Sequence, residues 1–146
     1  MYSVDPALEK RVWSRVYGRE TVQGGDIRLR QLCATARDCA LLCGALRGEV
    51  GPEAARRLGL MEKEMNGAAK ALSEAAGDIS LPPPTGCPGC DRERKLWLLK
   101  LWLEEWAGGC RELAGRSSHR KLLEKLADMG RRHGAILKTV YPARGR

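Results

Sequence analysis

Apolar side chains recur at alternating steps of three and four along most of the chain. Leu29, Leu32, Ala36, Cys39, Cys43, Leu46 and Val50 form one series, and Leu58, Met61, Met65, Ala68, Leu72 and Ala75 a second. A third comprises Leu96, Leu99, Leu103, Trp106, Cys110 and Leu113, widened by Trp97, Leu98 and Trp102. The fourth is Leu122, Leu126, Met129, His133, Ile136 and Val140. Such steps keep side chains on one face of a helix. The pattern predicts four amphipathic helices, over about 26–47, 52–76, 91–114 and 117–140. No run alternates Val, Ile, Thr or Tyr between turn residues as a half-buried strand would.

The residues between the series mark where each helix stops. Asp26 is placed to cap the first helix, and Gly48 through Pro52 breaks it. Pro52 suits the first turn of the second helix, where its missing N–H costs nothing. Gly77 closes that helix as a C-cap, and Pro142 ends the fourth. Residues 1–25 read as an N-terminal arm in which Leu8, Val12 and Val16 suggest a short helix. Residues 26–141 read as the bundle, and 142–146 as a basic tail.

Connection lengths constrain the topology. About three residues join the first helix to the second and the third to the fourth, which demands antiparallel hairpins. The middle connection, 77–90, holds three consecutive prolines, Pro82 to Pro84, which favour extended polyproline backbone. Helices of about 24 residues are about 36 Å long, and fourteen extended residues reach about 50 Å. The linker can therefore cross the full length of the bundle, the ferritin-like arrangement. An up-down-up-down bundle with a slack loop satisfies the same lengths.

Composition adds to this picture in three places. The 146 residues include no Phe, so Leu, Ala, Met, Cys and Trp must fill the interior. The formal net charge is +8, which suits an anionic partner. The Arg residues are nevertheless spread along every segment among Glu, as on solvated helix faces, and no nucleic-acid motif is present. Nucleic acid is thus not the expected partner. The stretch from Met1 to Pro6 lacks the basic and apolar regions of a secretory signal. The longest apolar run, Leu96–Leu103, contains Lys100 and falls short of the roughly 20 residues that span a bilayer. A cytoplasmic protein with six reduced cysteines is the expectation.

One element invites chemistry on spacing alone. Cys87-Pro88-Gly89-Cys90 precedes the third helix, whose dipole favours a thiolate at its N-terminus. A proline run rather than a strand comes before it, unlike thioredoxin-type motifs, and no second Cys-x-x-Cys completes a zinc set. A linker with two thiols and a redox or metal hook both remain open. Cys39, Cys43 and Cys110 lie on apolar stripes and read as small buried hydrophobes.

The arm reads Arg11-Val12-Trp13-Ser14-Arg15-Val16, the second helix carries Arg56-Arg57-Leu58-Gly59 and then Glu62-Lys63-Glu64-Met65, and the fourth carries Leu126-Ala127 followed by Gly130-Arg131-Arg132-His133. In these stretches the chain resembles the ferritin-like, rubrerythrin-related proteins of gut Firmicutes. The resemblance implies a bundle whose interior holds two metals on a Glu from each of two helices and a Glu-x-x-His pair from each of the others. Against that pattern Glu62 holds a Glu place and Met65 a His place; Gly130 holds a Glu place and His133 keeps the His. On the first helix the expected Glu falls near Ala36, where no inward carboxylate exists. On the third, Glu105 or Glu112 could hold the place. Two or three ligands do not hold a pair of divalent ions. The implied reading is a degenerate site without bound metal, His133 surviving as a core histidine paired with Glu62. The expected function is a non-catalytic structural or protein-interaction role, with self-association through the Trp-rich third helix as one form of it. The alternative is an iron- or zinc-dependent or thiol-dependent redox protein using the remaining ligands or the Cys87/Cys90 pair.

Overall fold

A computed structural model describes residues 24–77 and 89–140. Those residues form four α-helices and no strands: α1, Gly24–Arg47; α2, Pro52–Ala75; α3, Arg92–Ala114; and α4, Arg120–Val140. Most of the arm, most of the linker and the basic tail lie outside the described residues.

The helix ends follow local chemistry. Asp91 caps α3 by accepting a hydrogen bond from the Arg94 N–H at 2.8 Å, which satisfies one of the donors a helix start leaves open. Pro52 occupies the first turn of α2 beside Glu53, and the Glu53 carboxylate complements the helix dipole. Gly77, at φ +90°, ends the turn after α2, a conformation that glycine reaches without a Cβ penalty. The α1 backbone is already helical at Gly24, two residues before the expected start.

Contacts fix how the helices run. Cys33 Sγ donates to the Ala69 carbonyl at 3.1 Å, and Arg47 meets Glu62, so α1 and α2 are antiparallel. Gly130 of α4 packs on Ala107 and Trp106 of α3. Arg28, near the start of α1, pairs with Glu112, near the end of α3, while Lys95 at the start of α3 pairs with Glu49 just past α1. Thus α1 and α3 also run oppositely. So do α2 and α4, through Glu64 with His133 and Arg57 with Thr139.

One continuous core joins all four helices, with Leu42, Leu46, Met65, Leu72, Leu99, Leu103 and Leu123 fully enclosed. The first three apolar series predict it well. In α4, however, Leu123, Leu126, Ala127, Gly130, His133 and Leu137 are the buried residues, whereas Leu122, Met129 and Ile136 are half-buried. The expected face is rotated toward α3. Both Leu122-Leu123 and Ile136-Leu137 are apolar pairs, so periodicity alone did not choose between them. Packing chose: α4 lies closely along α3, and its contact with α2 is sparse. Trp97, which widened the third series, is 55% exposed. Its ring instead meets the Arg94 guanidinium at 5.4 Å, a cation–π contact on the surface.

Candidate functional site

The positions that resembled metal ligands do not converge. Glu62 faces α1. Its Oε1 accepts a hydrogen bond from Arg47 at 2.7 Å, and its carboxylate lies in a notch at Gly44, where an added Cβ would stand 2.9 Å from Oε2. Glu64 faces α4 instead, since residues two apart on a helix point to different sides. Glu64 Oε1 lies 2.6 Å from His133 Nε2. The expected pairing of His133 with Glu62 is therefore replaced by one with Glu64, and the shift of two residues places the polar contact at the α2–α4 seam.

His133 is 3% exposed and its Nδ1 has no hydrogen-bond partner among the described residues. Burial pushes the imidazole pKa below its ordinary value; the hydrogen bond and charge of Glu64 oppose this and are outweighed. A neutral ring that donates from Nε2 to Glu64 fits both observations, leaving a lone pair on Nδ1.

Met65 is fully buried in the core. Gly130 lies against Trp106: a Cβ at 130 would stand 3.0 Å from both the Trp106 ring and Ala107 Cβ. Trp106 itself is 1% exposed and donates from Nε1 to the Leu32 carbonyl at 2.9 Å. The indole thus fills the bundle interior beside the position where the resemblance places a glutamate. A carboxylate at 130 would need that ring to move.

Glu105 and Glu112 lie on the α1 flank of α3. With Arg28, Gln31 and Thr35 they line a cleft of about 310 Å³ over Trp106, Gly108 and Gly109. Glu112 pairs with Arg28 and, more loosely, with Arg116 at 4.0 Å. His133 contacts α2, so these carboxylates do not join it. Ala36 is buried and carries no ligand. Among the described residues, no group of three or more His, Cys, Asp or Glu side chains could hold a metal ion. The described residues do not fit a di-metal centre.

A second stripe runs along α1. Gln31, Thr35, Asp38 and Leu42 are all buried, at steps of four, three and four. Their spacing is helical, but three are polar, so a search for apolar periodicity misses them.

The thiols divide into two sets. Cys33, Cys39, Cys43 and Cys110 are buried and carry no disulfide. Burial pushes Cys43 and Cys110 up to about 12, with Glu62 adding to the effect at Cys43. Cys90, by contrast, is disulfide-bonded, which departs from the expectation that all six cysteines are reduced. Cys87 lies outside the described residues. No helix among the described residues is long and apolar enough to cross a membrane.

Compared with known proteins, the chain matches no family model, no curated protein and no solved structure.

Proposed function

We propose that this protein is a non-catalytic bundle on a ferritin-like scaffold, with a structural or protein-interaction role. The observation that carries this reading is the packing of Trp106 against Gly130. An indole enclosed beside a glycine replaces the carboxylate that di-metal chemistry requires at the bundle centre. Three further features support it. Glu62 is held by Arg47, His133 is engaged by Glu64, and Met65 offers only a thioether among apolar neighbours. The antiparallel pairing of α1 with α3 and of α2 with α4 supports the scaffold assignment. It puts the end of α2 and the start of α3 at opposite ends of the bundle, as a crossover connection requires.

Purified protein incubated with ferrous ions, then desalted and assayed for metal by mass spectrometry, should carry far less than one iron per chain. It should also show no peroxide turnover above free iron. Stoichiometric iron that disappears in His133→Ala would overturn the reading.

The bonded state of Cys90 favours a second reading, thiol–disulfide exchange through the Cys87/Cys90 pair. Alkylation and mass spectrometry across a series of glutathione redox buffers test it. A reversible Cys87–Cys90 couple near cytosolic potential would support exchange. A bond reduced only under strongly reducing conditions would mark it as structural.

A further inference from the structure

The outer seam between α3 and α4 is a groove of about 430 Å³. Its floor is small or apolar: Leu103, Ala107 and Gly130 are buried, and Gly134 adds no side chain. A Cβ at Gly108 or Gly134 would meet nothing within 4 Å, so the helix backbones themselves lie open at the rim. Three cations stand around it, Arg111 on α3 and Arg131 and Lys138 on α4, against a single carboxylate, Glu104. Neither Arg111 nor Lys138 pairs with a carboxylate among the described residues. Arg131 and Ala135 also line an adjoining cleft with Lys125 and Arg132, where the only acid, Asp128, is held by Arg131 at 2.7 Å. The charged rim is exposed and carries a clear excess of positive charge.

We infer that this groove docks an acidic α-helix of a protein partner. The inference rests on the interaction reading above and names the surface and partner chemistry for it. A furrow between two antiparallel helices has the shape into which a third helix nests. Glycine and alanine on the floor let that helix approach closely, and the cations select for carboxylates on its flanks. Lys138 and Arg131, the latter shared with Asp128, are seven residues apart, two helical turns or about 10 Å, which matches carboxylates at the same spacing on the partner. Single-stranded nucleic acid fits less well, because its sites stack bases on aromatic rings and this groove has none. A membrane surface needs a broad apolar face, not a concave floor ringed by charge.

The test uses the full chain and a labelled Ala-rich helical peptide with Glu at seven-residue intervals on both flanks. Three comparison probes accompany it: the same composition with Glu out of register, a single-stranded oligonucleotide, and phosphatidylserine vesicles. Fluorescence anisotropy should show saturable, salt-sensitive binding of the in-register peptide, with amide shifts at Gly108, Gly130 and Gly134 by NMR. Arg111→Glu with Lys138→Glu should weaken it at least tenfold. So should Gly134→Leu, which fills the groove while leaving the melting temperature unchanged or raised. Equal binding of the out-of-register peptide, undiminished binding by Gly134→Leu, tighter binding of oligonucleotide or vesicles, or binding of no probe would each overturn the inference. These outcomes are separable from failure of the underlying reading, which the iron measurement decides.

Discussion

Two seams join the hairpins, and they are built differently. The α1–α3 seam is closely packed and pinned along its length. Trp106 bonds the Leu32 carbonyl, Leu32 packs under Gly109, and an ion pair stands at each end. The α2–α4 seam is sparse, bridged by Glu64 with His133 and by Arg57 with Thr139, beside half-buried Leu122, Met129 and Ile136. A large buried side chain fills the dense seam, and polar side chains bridge the thin one. On the dense seam the enclosed Trp106 indole donates to the Leu32 carbonyl of α1, and its ring also lies against Gly130 of α4. On the thin seam a buried histidine meets a half-exposed glutamate.

The largest expected effect is that of Trp106→Ala, which removes a fully buried indole from the dense seam. It should cost about 3–5 kcal/mol, the usual range for a buried aromatic, measured by urea denaturation. A loss below about 1 kcal/mol would mean the α1–α3 seam is not the main joint. Next in size is Gly130→Leu, which presses on the Trp106 ring and should destabilise by about 1–3 kcal/mol through overpacking. The penalty should shrink in a Trp106→Leu background; strict additivity in that double-mutant cycle would sever the proposed size-matching. On the thin seam, Glu64→Ala should cost only about 1 kcal/mol, because half of its side chain faces solvent and the net value of one hydrogen bond is small.

The smallest expected effect is the dependence on pH. The folded His133 pKa lies below that of the unfolded chain, so below about 6.5 the unfolded state takes up a proton that the folded state resists. Stability is therefore full above that pH and declines as pH falls toward the folded value. Chemical denaturation between pH 7.5 and 5 should show the decline, with a shallower slope in His133→Leu. An identical slope in the variant would place the proton uptake elsewhere.

Much of this architecture could be read from spacing. Three apolar series, Pro52 and Gly77 locate three helices and most of their ends, because backbone capping and periodicity are local, although Asp26, read as the first cap, lies inside α1. The fourth face was misplaced by about one residue, since Leu122-Leu123 and Ile136-Leu137 offer equivalent apolar choices and the decision belongs to the neighbouring helix. The candidate site was legible only as a list of residue types. Whether Glu62 or Glu64 meets His133 is decided by the phase of α2 against its neighbours, which turns Glu62 toward Gly44 of α1 and Glu64 toward α4. Asp38 and Gln31 escaped notice because a buried polar residue leaves no hydrophobic trace.

The enclosed thiols of Cys43 and Cys110 have one more consequence. With pKa values pushed up to about 12, both groups stay protonated at neutral pH, and both are sealed from solvent. An alkylating reagent can reach them only when the helices part. The rate at which these two positions take up label is then a clock for opening of the bundle, running inside the native chain with no added probe.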